Sequence, residues 1–173
     1  MLLISSQKGL VRVSLPTQNP KKILDEFMIS SDGILTHREN SIIKRTRVQL
    51  EQYFAGTRSE FYVALDLHGT DFQRSVWVAL CHIPFGQTRS YQDIAHFVGN
   101  PKAARAIGMA NHNNPIPIIV PCHRVISKSG GLGGFADNST KCLHLKQQLL
   151  DLEKQAVRTM SFEPLHANAI LPI

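Results

Sequence analysis

No cysteine precedes residue 81 in this chain of 173 residues, and the three present, Cys81, Cys122 and Cys142, form no Cys-x-x-Cys pair. So odd and sparse a set argues against a disulfide framework and zinc-finger spacing, and for a reducing compartment, cytoplasm or nucleus. Long apolar runs are missing too. None approaches the roughly 20 residues that a membrane span needs. No basic leader stands ahead of Leu2-Leu3-Ile4, so these residues read as a first strand rather than a signal peptide. There is no repeat and no low-complexity block. Acids are scarce: 13 Asp and Glu against 19 Lys and Arg leave a formal net charge of +6. Such a surface suits a polyanion, nucleic acid first and an anionic membrane second. The excess is concentrated. Between Gln87 and Arg124 stand Arg89, Lys102, Arg105 and Arg124 with His96, His112 and His123, against a single acid, Asp93.

What is present suits an ordinary folded protein. A hydrophobic content of 43% supports one domain with a good core or two small ones. Leu2-Leu3-Ile4 and the alternating Val11–Leu15 flank Gly9 and predict a hairpin. Lys21–Met28 leaves strand and helix both open, and Ser30-Ser31-Asp32-Gly33 is turn chemistry. Ile42, Ile43, Leu50, Tyr53 and Phe54 space an amphipathic helix over 39–55, with Gly56 to end it. Tyr62–Leu67 alternates as a strand, and His68-Gly69-Thr70 marks a boundary. Residues 1–69 thus form a small α/β unit with few candidate catalytic groups. His37 and His68 lack partners at metal-ligand spacing, and no metal site is expected.

Beyond the boundary the pattern turns helical. Thr70 caps a helix from Asp71 to about Ile83, with Trp77 and Cys81 expected in the core. Ser90 caps Tyr91–Val98, with Asp93 three residues on. Gly99-Asn100-Pro101 is a tight turn that places Pro101 at the first position of a helix over Lys102–His112. Two short helices joined this way are a helix-turn-helix candidate. The second is slim: Ala103, Ala104, Ala106, Gly108 and Ala110 permit close approach to a groove, with Arg105 projecting. Ser127–Phe135 holds four glycines, which permit close backbone approach to a ligand. Lys141–Lys154 is a last amphipathic helix, followed by a surface tail. The expected class is α+β: an N-terminal α/β domain with an antiparallel sheet (1–69), a mainly helical, winged-helix-like domain (70–157) and a tail (158–173).

The chemistry-bearing stretch is Pro115-Ile116-Pro117-Ile118-Ile119-Val120-Pro121-Cys122-His123-Arg124. Three prolines rule out a helix interior or a central strand. Ile118-Ile119-Val120 reads as a buried extended segment. A thiol, an imidazole and a guanidinium follow on stiff backbone, which is what thiolate chemistry needs. Taken alone, the pair reads first as a buried structural cysteine with a neighbouring histidine.

Context decides. Tyr91, Asn100-Pro101-Lys102-Ala103-Ala104-Arg105, Asn114-Pro115, Pro121-Cys122-His123-Arg124 and Glu153 occur in this order, and together they resemble the O6-alkylguanine-DNA alkyltransferases over residues 70–154. Over residues 1–69 the likeness is one of general layout. The resemblance implies repair of alkylated guanine in double-stranded DNA by base flipping, with the second helix in the minor groove. O4-alkylthymine is a further candidate substrate. It implies Cys122 as acceptor, His123 as its partner through a water, Glu153 as orienter of the histidine and Asn114 as a brace beneath the site. Asp151 is a second candidate for the acid. Tyr91 would meet the flipped nucleotide and Arg105 would fill the gap it leaves. Ala104, Arg124, Gly134, Phe135 and Ala136 are the further substrate-side residues. Single turnover, no cofactor, no membrane partner and a monomer in solution are implied as well. Three departures stand out. No zinc ligands occur in the first part, Ala136 stands where a hydroxyl residue or glycine is usual, and the connection Asp137–His144 is lengthened. The rival readings are a non-catalytic lesion-binding protein that recruits other repair factors, a cysteine hydrolase and a transcription factor.

Overall fold

The hairpin forms as the alternation predicts. In the computed structural model, which describes residues 1–30, 39–136 and 139–162, β1 (Leu3–Ser5) and β2 (Leu10–Val13) pair antiparallel. A register shift after Ile4 lets Leu10 and Val13, three residues apart, both bury. The strand expected at Tyr62–Leu67 shrinks to one parallel bridge, with Leu10 N–H donating to Ala64 O and Asp66 N–H to Leu10 O. The open choice at Lys21–Met28 resolves to helix α1 (Pro20–Ser30), Pro20 fitting its first turn. Asn40 caps α2 (Ser41–Phe54) by accepting from Ile43 N–H, and Gly56 at φ +72° turns the chain away after it. The turn expected at residues 31–33 lies outside the described residues.

Thr70 caps α3 (Asp71–Cys81) in a full capping box with Gln73, and Ser90 does the same for α4 (Tyr91–Phe97) with Asp93. Then comes α5 (Ala104–His112). Pro101 is not its first residue, because residues 101 and 102 form a turn and Ala103 is the cap. Trp77 fixes α5 against α3 by donating its indole N–H to Ala110 O at 2.9 Å. The parallel pair β3 (Arg89–Ser90) and β4 (Val125–Ile126) brings the start of α4 beside the residues after Arg124. The last helix, α6 (Thr140–Phe162), is longer than expected, and takes in residues 158–162 of the expected tail. Residues 163–173 and Asp137-Asn138 lie outside the described residues.

These elements make an α+β fold around one buried cluster. Leu10, Leu15, Leu50 and Tyr53 from before the boundary pack in it with Trp77, Leu80, Ile116 and Cys122 from beyond. No helix among the described residues is long and apolar enough to cross a membrane.

Candidate active site

The segment before Cys122 is buried, as expected, but it is a turn rather than an extended run. Ile118 takes φ +77°, and Val120 N–H reaches back to Ile116 O at 2.9 Å. A branched side chain pays for that conformation with its complete burial. Asn114 locks the loop from inside. Its amide donates to Val120 O at 2.8 Å and its carbonyl accepts from Ile116 N–H at 3.0 Å. Cys122, His123 and Arg124 then form a single 3-10 turn, all three buried. The thiol is therefore placed by backbone, at the end of a loop with few ways to move.

Behind the thiol lies a buried polar cluster. His123 Nε2 stands 2.8 Å from Glu153 Oε1, both side chains essentially inaccessible. Asp151, the other candidate, is exposed and bonded to Gln147 on its own helix. Burial alone would push the Glu153 carboxyl up, but the hydrogen bonds and charges of His123 and Arg124 hold it well below its ordinary value, at about 2. An ionised carboxylate only accepts, so the imidazole proton sits on Nε2 and Nδ1 carries the lone pair. Nδ1 is buried with no hydrogen-bond partner among the described residues. Burial also pushes the imidazole down, against the pull of Glu153, which keeps it neutral and basic at Nδ1. Burial pushes the Cys122 thiol up, only partly opposed by the Asn114 hydrogen bond and the Lys146 charge. The resting group is thus a thiol beside a neutral base.

In front of the thiol a cavity of about 640 Å³ opens. Cys122 lines it together with Tyr91 from α4 and Ala104, Arg105 and Gly108 from α5. Gly134, Phe135 and Ala136 form the wall on the glycine-rich side. Tyr91 donates its hydroxyl proton toward Gly134 O at 3.4 Å. Burial pushes its phenol up, so it is a proton donor at neutral pH. Ala136 sits at φ +48°, its carbonyl accepting from the ring of His112. Met109, Asn111 and His112 complete the lining from α5, and the buried Asn111 amide has no partner among the described residues.

Most expected residues thus converge on one place, in two layers. Tyr91, Ala104, Arg105, Gly134, Phe135 and Ala136 surround the cavity, while His123, Glu153 and Asn114 support Cys122 from within. Arg124 is a correction. It was expected on the substrate side but is 6% exposed, and its guanidinium is consumed by Glu153 and by Ile83 O at 2.7 Å. Three contributors escaped the sequence. The Tyr53 hydroxyl donates to Glu153 Oε1 at 2.8 Å, from the part of the chain read as poor in catalytic groups. Gly86 N–H donates to Glu153 Oε2 at 2.9 Å. Lys146 is fully buried, its ammonium on Val125 O, Leu132 O and Gly134 O. No local pattern marks these three as site residues. The other thiols lie apart. Cys142 is buried at 3.2 Å from Thr17 Oγ1, whereas Cys81, expected in the core, is exposed because α3 ends there and only Leu80 of the pair turns inward.

The chain is similar to known proteins. The family model for the DNA-binding domain of 6-O-methylguanine DNA methyltransferase matches residues 71–155. The methylated-DNA–protein-cysteine methyltransferase of Mycobacterium leprae is 54% identical over 121 residues, 70% of this chain and 71% of that one. The protein of the same name from Methanosarcina barkeri is 42% identical over 158 residues, 91% of this chain and 92% of its own. Mycobacterium tuberculosis OGT, solved in complex with DNA, superposes with a TM-score of 0.72 at 42% identity, covering 89% of this chain and 86% of that chain. Likeness that runs through the first part of the chain as well as the DNA-binding part settles the family: the chain belongs to the methylated-DNA–protein-cysteine methyltransferases, DNA-binding proteins that repair by direct alkyl transfer.

Proposed function

We propose that the chain takes the alkyl group from O6-alkylguanine in duplex DNA and keeps it on the Cys122 sulfur. The observation that carries this reading is the two-layer site: a cavity with room for a base and lined by a thiol, with a neutral imidazole on an ionised carboxylate behind it. A lesion inside the duplex stack is out of reach of any side chain, so the nucleotide must be extruded. That costs a few kcal/mol and least for a badly paired base. The small residues of α5 suit close docking in the minor groove, and Arg105, exposed at the cavity rim, is placed to fill the vacated stack.

The alkyl carbon on O6 is a poor electrophile, so attack needs thiolate. His123 Nδ1 takes the thiol proton, with one water able to bridge the two groups. The sulfur–carbon bond forms as the carbon–O6 bond breaks. The Tyr91 phenol supplies a proton to the departing guanine, and the imidazolium proton returns to the phenolate by way of solvent. Guanine leaves neutral and the thioether stays. Among the described residues no group in the site can reverse that bond, which makes the protein a single-turnover reagent that consumes no cofactor.

The test is direct. After incubation with a duplex containing O6-methylguanine, peptide mass spectrometry should find one added methyl on the Cys122 peptide, one per protein. Cys122→Ala should bind the same duplex and gain none. Tight binding with Cys122 unmodified would make the chain a lesion-binding protein instead, and repeated turnover on an ester would make it a hydrolase.

A further inference from the structure

The last turn of α2 sends one polar group into the relay. Tyr53 is 0% exposed, and Phe54, Phe61 and Phe85 hold its ring at centroid distances of 5.5, 5.4 and 6.1 Å. Packed on three sides, the ring has no room to swing. Its hydroxyl donates to Glu153 Oε1 at 2.8 Å and stands 3.5 Å from His123 Nε2. The same oxygen accepts the His123 N–H at 2.8 Å. Arg124 reaches this oxygen as well, so three side chains share one acceptor atom.

We propose that Tyr53 is a positioning residue for alkyl transfer: through its hydrogen bond to Glu153 it sets how strongly the carboxylate holds protonated His123, and so the pH at which the relay can accept the thiol proton. This rests on reading Cys122, His123 and Glu153 as the transfer relay.

The chemistry is a competition for electron density. Each donor on a carboxylate oxygen lowers the basicity that remains for the others. With the phenol in place, Oε1 stabilises imidazolium less. Without it, Oε1 is left to His123 and Arg124, and the imidazole becomes more basic. The groups that face His123 are Glu153 and Lys146 from α6, Arg124 from its own turn and Tyr53 from α2. Cys122 precedes it in the chain. Of these, Tyr53 alone comes from the chain before Thr70, so it ties the first part of the fold to the chemistry of the second. Neutral imidazole is the working form. A more basic His123 stays protonated to higher pH, so losing the hydroxyl moves the acid limb of the pH–rate profile upward.

Tyr53→Phe keeps the ring contacts and removes only the hydroxyl. Single-turnover methyl transfer from an O6-methylguanine duplex, followed from about pH 5 to 9, reads the coupled thiol–imidazole titration. The acid limb should move up by roughly half a unit to one unit, with DNA affinity unchanged. A 3-fluorotyrosine at position 53 has a more acidic phenol of nearly the same shape, and should move the limb down. It also serves if the Phe variant does not fold. In a Glu153→Gln background, Tyr53→Phe should shift nothing further. A uniformly lowered profile with an unmoved limb would reduce Tyr53 to packing, and an undiminished shift in the Gln background would place its action elsewhere. Failure of the parent chain to transfer methyl would remove the relay reading itself. A parent that transfers, with variants of unchanged profile, would remove only the role of Tyr53.

Discussion

Arg124 grips Glu153 by three contacts inside the protein, Nε at 3.0 Å from Oε2 and at 3.2 Å from Oε1, and Nη2 at 3.0 Å from Oε1. Its guanidinium also lies over the Phe85 ring, 5.6 Å from the centroid. The pair is neutral as a whole, which lets an ionised carboxylate persist next to a neutral histidine. Removing the cation strands a buried charge. Arg124→Ala should therefore cost about 3–5 kcal/mol of stability in denaturant titrations. Arg124→Lys keeps the charge and loses the fork, and should cost less. The salt slope of DNA binding should stay as in the parent for Arg124→Ala under conditions where that variant remains folded. A phosphate-contacting residue would lower that slope by about one on replacement. Arg105→Ala is the contrasting variant, expected to weaken DNA binding without touching stability.

Acid should unfold the protein through the same carboxylate. Glu153 sits at about 2 in the fold, against an ordinary 4.5. Its folded value is depressed, so its contribution is complete above the ordinary value and is lost as pH falls from there toward 2. Denaturation free energy measured between those limits should fall steeply in the parent. Glu153→Gln starts less stable and should fall less steeply over the same window.

Lys146 works in the opposite direction. Burial pulls its ammonium from an ordinary 10.5 down to about 8. Between those values the unfolded chain binds more protons than the folded one, so stability should rise with pH across that window. Lys146→Met keeps most of the stem and should abolish the rise. The variant also removes the positive charge that pulls the Cys122 thiol down. Its reactivity toward iodoacetamide at neutral pH should fall about tenfold for each unit the thiol rises.

What the sequence made legible and what it hid divide along physical lines. Caps were readable because they are closed three residues apart: Thr70 with Gln73, and Ser90 with Asp93. The cavity-facing residues were readable through resemblance, since their order along the chain survives folding. Tyr53 was not. Its spacing from Leu50 marks it as core, and core it is, but a periodicity cannot tell a hydroxyl that points at Glu153, a hundred residues on, from one that points at water. Lys146 was hidden for a related reason, because a lysine on an amphipathic helix is presumed to face solvent. The run Ile118-Ile119-Val120 announced burial correctly and its backbone wrongly, since apolar character carries no information about φ. Arg124 misled by adjacency. Its neighbours Cys122 and His123 are the residues proposed for the reaction, while its own charge is spent on Glu153.

Gly133 is the position where the glycine-rich segment meets Tyr91 most tightly. It takes φ +66°, and a Cβ there would fall 2.6 Å from the Tyr91 hydroxyl and 2.8 Å from its ring. Gly130 takes φ +86°, yet a Cβ there would meet nothing within 4 Å. Alanine at either site carries a similar backbone cost, on the order of 1 kcal/mol. Only at Gly133 must a neighbour also move, and that neighbour is Tyr91, the proposed proton donor to the departing base. Thermal midpoints of Gly133→Ala and Gly130→Ala should therefore drop by comparable amounts. Transfer should separate them: near the parent rate for Gly130→Ala, and about a hundredfold slower for Gly133→Ala if Tyr91 is displaced by an ångström. Equal rates in the two variants would show that Tyr91 has slack to spare, and would take from it the role of a tightly placed donor.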